Sequence, residues 1–500
     1  MSNAYAQLQN RLGEVDDLNR AGALLAWDQE TYMPRGGITA RADQLATLSR
    51  VAYMLFINDD TRRMIDAAAT ETAHLPYESD AASLVRVAHR DFEQTAKLPV
   101  EFVTEFTRLT AQARVSWAEA RHQNQFALFQ PDLEQIVTMV RQQADYLGYR
   151  DHPYDALLDL YEPAMRAAQV RTLFTELRTG LHPLVELVKA NPHAVDDSLL
   201  HLDYDPATQL KLSEQILRTI GFDFACGRQD LAIHPFCTAF GPSDVRLTTR
   251  VAANELQQGL YGSLHEMGHG LYEQGFPATL ARTSLANGAS LGFHESQSRM
   301  WENLVGRSRD FVHYFFPLIR DTFPAQLAHA NEEAFFRAVN RAKPSFIRVE
   351  ADELTYNLHI LLRFELELWL VDGTLKVADL PAAWSEQMQA LLGVTPPTHA
   401  QGVLQDVHWS GGMIGYFPTY TLGNVIAAQL FNRAKLDIPD LESQFAVGQF
   451  GGLLGWMRTN LHVHGRKFTP VELLQRITGG GLDAKPYLTY LRDKCNALYA

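Results

Sequence analysis

Helical periodicity dominates the chain. Apolar residues recur three and four positions apart in DFEQTAKLPVEFVTEFTRLTAQARVSWAEARHQ, SEQILRTIGF, EEAFFRAVNRA and ELTYNLHILLRFELELWLVDG, the spacing that lines one face of an α-helix. Breaks fall at single Gly, Pro or Asn positions rather than in long linkers, with no low-complexity tract and no internal repeat. One stretch reads differently. In LAIHPFCTAFGPSDVRLTTRVA, Ile233–Phe240 and Val245–Val251 carry β-branched and aromatic residues around Gly241-Pro242-Ser243, so a small antiparallel hairpin is expected there. The pattern predicts a mainly α fold with a minor sheet. No position demands a domain cut, so residues 1–500 are read as one unit.

A helix is expected directly after the hairpin, from about Asn254 to Glu273, with Leu256, Leu260, Leu264 and Leu271 as its apolar stripe and Gly275 and Pro277 ending it. It contains His265-Glu266-Met267-Gly268-His269, an H-E-x-x-H pattern. Positions i and i+4 share a helix face, so both imidazoles can address one ion. Glu266 lies about 100° round from His265, within reach of a water on that ion without being a ligand. Two nitrogen ligands, one base and an open coordination position are what a zinc hydrolase needs. The pattern constrains only three positions, and a solvated helix face with polar residues is the bland alternative. The adjoining apolar stripe, and the room that Gly268 leaves for close approach, argue against it.

A catalytic zinc takes three protein ligands plus water. The segment NGASLGFHESQSRMWENLVG supplies the third. Asn287-Gly288 marks a turn, and Leu291, Met300 and Leu304 pattern a second helix. Returning antiparallel across the first, it would set Glu295 against the histidines. His294 is the rival, but neighbours on a helix point about 100° apart, so one of the two is expected to serve.

Composition narrows the classes. A 46 % apolar, 20 % charged chain of 500 residues is globular and can bury a large core. A net charge of −14 disfavours nucleic acid and anionic membranes as partners. No apolar run approaches 18 residues, so no membrane span is expected, and the polar start MSNAYAQLQNRLGEVDDLNR is not read as a signal peptide. Cys226, Cys237 and Cys495 show no C-x-x-C spacing and fit a reducing cytoplasm.

Further motifs extend the pattern: His234-Pro235-Phe236, Asp244-x-Arg246-x-Thr248, His294-Glu295-Ser296-Gln297, Ile347-Arg348-x-x-Ala351-Asp352 and Gly402-x-x-Gln405-Asp406-x-His408-Trp409, between WDQETYMPRGG near Trp27 and GYFPTYTLGN around Tyr416. With the H-E-x-x-H these resemble, over essentially the whole length, the thermostable carboxypeptidase (carboxypeptidase Taq) family of zinc metallopeptidases. That resemblance implies a large helical body, two lobes flanking a deep groove, with a divalent metal at its floor. It also implies a cytoplasmic homodimer that removes single residues of broad specificity from peptide C-termini, with Zn²⁺ as the default ion and Co²⁺ as a substitute.

The expected chemistry is amide hydrolysis. His265, His269 and Glu295 hold the ion, and Glu266 takes the proton of the attacking water and passes it to the leaving amine. His408 and Tyr416 are the candidates for stabilising the oxyanion, partly by analogy with related helical zinc peptidases, with Tyr420 the alternative phenol. A guanidinium fork suits the substrate's free carboxylate, with Arg348 the first candidate and Arg246 the second. The resemblance has His234 and the Asp244/Arg246 pair close one end of the groove. Gln297 and His294, with Asp352 and Asp406, are expected around the ligands or substrate. Two other readings compete. An oligopeptidase or dipeptidyl carboxypeptidase of the same class would release fragments or dipeptides first. A scaffold with a structural metal would have no use for Glu266 and would close the site with a fourth ligand.

Overall fold

The computed structural model describes residues 4–500. The chain forms two compact units, Met1–Ala96 with Asp196–Val339 and Ala427–Gly481, and Lys97–Val195 with Asn340–Ile426 and Leu482–Ala500. Each unit is assembled from three separated stretches, so no single boundary divides them. This is why the sequence offers no linker. Among the described residues no helix is long and apolar enough to cross a membrane. Of the polar N-terminal stretch, residues 1–3 lie outside the described residues and the rest begins the helix Ala4–Thr31.

In the first unit, the helices Ala4–Thr31, Asp59–Thr72 and Asp80–Ala96 bury Leu8, Leu12, Ile65, Ala68, Leu84, Ala88 and Phe92 in one cluster with Leu280 and Leu285. The expected hairpin is present as β2 (Cys237–Gly241) and β3 (Asp244–Thr249), antiparallel with Cys237 opposite Leu247. The sheet is nevertheless mixed rather than antiparallel. β1 (Gly227–Leu231) pairs parallel to β3, which makes the order β1-β3-β2. Its sequence, GRQDL, has no β-branched or aromatic residue, so its strand character comes from pairing and burial rather than propensity.

The sheet packs on α1 (Leu256–Glu273), close to the expected helix, and Leu256, Leu260, Leu264 and Leu271 are all buried. Gln229 on β1 donates to Ser263 Oγ at 2.7 Å, and Ser263 donates to Thr249 Oγ1 at 3.1 Å, tying sheet to helix. α2 (Leu291–Arg299) starts at Ser290, whose hydroxyl accepts the Phe293 N–H at 3.1 Å, as an N-cap should. The helix expected through Leu304 widens into a π-helical turn at Met300–Val305.

The second unit is built on α3 (Tyr356–Asp372), buried nearly all round, as a helix hydrophobic on every side should be. Three polar residues interrupt its apolar run one turn apart, His359, Arg363 and Glu367, each 0 % exposed. Arg363 grips Asp406 Oδ2 through Nε at 2.7 Å and Nη2 at 2.5 Å. Arg348 grips Asp406 Oδ1 from the other side, through Nε at 2.9 Å and Nη2 at 2.8 Å. Burial alone would raise the Asp406 carboxyl, but the two guanidiniums override it and hold it well below the usual carboxylate range. Removing one partner from a buried charge cluster leaves the others uncompensated. Asp406→Asn is therefore expected to cost about 3–5 kcal/mol of stability, read by urea unfolding at neutral pH. Because the folded-state pKa is depressed, this contribution is present above the ordinary carboxylate range and is lost as pH falls below about 4. The variant's stability is expected to fall less steeply over that interval than the wild type's.

Candidate active site

α1 and α2 run antiparallel. Along α1 from His265 to Glu273, the partners on the following segment descend from Glu302 to His294. Gly268 sets their separation. A Cβ there would lie 2.5 Å from the Gln297 carbonyl oxygen and 2.6 Å from Ser298 Cα, backbone atoms that cannot rotate away. A glycine inside a helix costs up to about 1 kcal/mol relative to alanine. Here it lets α2 touch α1 backbone to backbone.

That contact brings His265, His269 and Glu295 together, the one such group among the described residues, with ligand atoms all within 4.8 Å of one another. Glu295 Oε2 stands 3.7 Å from His265 Nε2 and 3.5 Å from His269 Nε2. The far side of each imidazole is anchored. His265 Nδ1 meets Glu302 Oε2 at 2.9 Å. His269 Nδ1 meets His294 Nδ1 at 2.6 Å, and His294 Nε2 meets Glu273 Oε1 at 2.9 Å. A carboxylate only accepts, so His265 donates from Nδ1 to Glu302 and His294 from Nε2 to Glu273. Both metal-facing histidines turn Nε2 toward the same carboxylate oxygen. Three acceptors facing one another fit a cation between them, with the outer partners fixing tautomer and ring orientation.

The electrostatics agree. Burial would raise Glu295, but Arg299, bonded to its Oε1 at 2.6 Å, and the two imidazoles hold it well below the usual range. Glu302 is partly buried, which would raise it, yet Arg299 and His265 bring it down to about 2. Burial lowers His269 to about 4, which keeps it a neutral donor of its lone pair. Glu266 differs from its acidic neighbours. It is buried, no hydrogen bond reaches its carboxylate among the described residues, and burial lifts it to about 7 against the opposing pull of His265.

Glu302, Arg299 and Glu273 are partners that sequence reasoning missed. Helical spacing carried the signal, since Arg299 follows Glu295 by one turn and Glu302 follows Arg299 by three positions, while Glu273 stands one turn beyond His269. His294 sits beside His269, Nδ1 to Nδ1, behind the group of three. Gln297 is buried, its amide donating to Ser296 Oγ at 2.9 Å and its Oε1 facing His462 Nε2 at 3.1 Å. His234 is exposed, in a loop tied to β3 by Ala232 N–H to Thr249 O at 3.0 Å and Phe236 N–H to Thr248 Oγ1 at 2.8 Å. Arg246 forks onto Asp244 at 2.6 and 3.1 Å and lies over the rings of Trp27 and Phe240.

In the second unit, His408, Tyr416 and Tyr420 meet in a half-buried aromatic cluster. His408 Nε2 is 3.2 Å from Tyr420 OH, and Tyr416 packs against His408, Tyr420 and the unforeseen Tyr161 with ring centroids 5.2–5.4 Å apart. Burial lowers His408 to about 3, leaving a neutral imidazole. Arg348, expected to receive the substrate carboxylate, is engaged by a carboxylate of the protein itself. Its fork is closed on Asp406, its remaining Nη1 donates to Tyr356 OH at 3.0 Å, and 5 % of the residue is exposed. Asp352 collects the N–H groups of Lys343, Leu354 and Thr355 within 3.0 Å and organises the start of α3.

Residues 7–495 match the family described as carboxypeptidase Taq (M32) metallopeptidase. Thermostable carboxypeptidase 1 of Thermus thermophilus is 42 % identical over 99 % of both chains, and carboxypeptidase 1 of Bacillus subtilis is 37 % identical over 98 % of this chain and 97 % of that one. Among solved structures, the M32 carboxypeptidase from Deinococcus radiodurans R1 superposes with a TM-score of 0.97 at 43 % identity, covering all of both chains. Trypanosoma cruzi metallocarboxypeptidase 1 does so with a TM-score of 0.94 at 32 % identity, covering 99 % of each. The protein is a metallocarboxypeptidase, a peptide hydrolase that works with a divalent metal. It belongs to the carboxypeptidase Taq (M32) family.

Gly268→Ala drives a methyl group into the α2 backbone, and Glu302→Ala frees the His265 ring. Each is expected to weaken divalent-metal affinity by on the order of 10–100-fold, measured by competition with a chelator of known affinity.

Proposed function

We propose that the enzyme removes single residues of broad side-chain character from peptide C-termini, with zinc as the resident ion and cobalt as a working substitute. His265, His269 and Glu295 would hold the ion. The observation that carries this reading is the convergence of two imidazole Nε2 atoms on one carboxylate oxygen. A divalent ion bound there supplies Lewis acidity, acidifying a water and polarising the scissile carbonyl.

Glu266 takes the proton from the attacking water and delivers it to the leaving amine. A buried carboxylate without hydrogen-bond donors, lifted to about 7, is matched to that double duty. His408 and Tyr416 donate hydrogen bonds to the developing oxyanion, a contribution of about 2.7–4 kcal/mol for a well-placed donor, with Tyr420 the alternative phenol. For the substrate's terminal carboxylate we assign Arg246 in place of Arg348, because its ion-pair partner Asp244 is 46 % exposed and can yield to a competing carboxylate. His234, on its exposed loop, is assigned to the substrate's path. A cytoplasmic setting is supported by three unpaired cysteines. A homodimer rests on the family resemblance alone.

Glu266→Gln is expected to keep full metal content and lower kcat by about 10²–10⁴-fold. Full metal with undiminished turnover would refute the assignment. Chelation is expected to abolish hydrolysis, and Zn²⁺ or Co²⁺ to restore it. Single amino acids are expected as the first products in a digest time course, where dipeptides or internal fragments would point to the other peptidase classes.

A further inference from the structure

The segment from Asp406 to Tyr416 is fastened by two residues of α3 that stand one turn apart. Arg363 takes Asp406 at its start. Glu367 takes the rest. Its Oε1 accepts the Trp409 indole N–H at 2.9 Å, and its Oε2 accepts the Gly415 backbone N–H at 3.1 Å and the Tyr154 hydroxyl at 2.7 Å. Trp409 adjoins His408, and Gly415 adjoins Tyr416. The loop has little slack at the second tether. Gly415 has φ +95°, and a Cβ there would lie 2.8 Å from the Leu157 carbonyl carbon.

Packing alone does not call for a carboxylate here. An ionisable group that is 0 % exposed is costly to bury, and its three partners are neutral. The donor set explains it. An indole N–H and a peptide N–H can only donate. A glutamine would satisfy one of them and turn its own NH₂ toward the other, and an apolar residue would strand both. A carboxylate at this position is the side chain that can hold both ends of the loop at once.

We propose that Glu367 is a positioning residue that fixes the spacing of His408 and Tyr416 by holding the residue next to each. The proposal rests on the reading of those two groups as oxyanion donors. Misplacing such donors by about 1 Å costs on the order of 10²-fold in rate.

The test uses full-length, metal-loaded enzyme and a short peptide substrate. kcat, KM, metal content and thermal midpoint are measured for E367Q, W409F and Y154F beside H408Q and Y416F. E367Q and W409F are expected to lower kcat by on the order of 10–100-fold, with KM within about threefold and metal content full. Y154F removes a donor that is not on the loop, and is expected to lower the midpoint while kcat stays within about threefold. H408Q and Y416F are expected to lower kcat as well. Retention of kcat by E367Q while H408Q and Y416F lose it overturns the positioning role and leaves the donor reading standing. Loss of kcat in Y154F in step with E367Q overturns it too, as a general packing defect. If H408Q and Y416F both keep kcat, the donor reading falls and takes this proposal with it. Should E367Q fail to fold, W409F, which keeps an aromatic ring and loses the N–H, decides alone.

Discussion

Two imidazole lone pairs and a carboxylate oxygen aimed at one point repel one another, and nothing in ordinary packing would hold them there. The first unit is organised around supporting that unfavourable geometry. Each ring is turned by a hydrogen bond at its other nitrogen. Glu295 is kept ionised by Arg299, and the two helices touch at Gly268, the one residue type that lets the backbones close. The supports form a second layer, in which Glu302, Arg299 and His294 brace His265, Glu295 and His269 respectively, while Arg299 also holds Glu302 and Glu273 holds His294. A cation converts the inner repulsion into attraction, so metal binding and the local fold are one free-energy balance.

The second unit meets a different difficulty. Its central helix is apolar nearly all round, yet it carries an arginine and a glutamate with no access to water. Both are spent on one loop. Asp406 shares two guanidiniums and Glu367 collects three neutral donors, so the chain from 406 to 415 is held by ion pairs and hydrogen bonds rather than by side-chain packing alone. Arg348 belongs to the same arrangement. Its chemistry suits a substrate carboxylate, but the protein supplies the carboxylate itself in Asp406.

The features set by local spacing were legible in the sequence. The i, i+4 histidines, the helix ends at Gly275 and Pro277, and the hairpin at Gly241-Pro242-Ser243 follow from periodicity and turn chemistry, and all are present. The choice of Glu295 over His294 came from the angle between neighbours on a helix, and Glu295 is the residue that lies with the two histidines. What stayed hidden depends on contacts distant in sequence. GRQDL becomes a strand because a parallel partner is available. Arg348 becomes a buried ion-pair member because Asp406, 58 positions away, reaches it. Gln297 faces inward because His462 packs behind α2. Glu302 lay within reach of helical arithmetic, but the π-helical turn that bears it has no sequence signature.

The threading of the chain bears on how the protein is made. In the first unit, Arg86 donates to the Lys467 carbonyl at 2.7 Å and Asp91 pairs with Arg466 at 2.9 Å, so these helices are completed by residues 381 and 375 positions further along the chain. Closing so long a loop is entropically slow, and until it closes the early apolar cluster has unsatisfied surface. These helices therefore wait, partly exposed, until the later segment has been made, a period in which chaperone capture and misassociation compete with native docking.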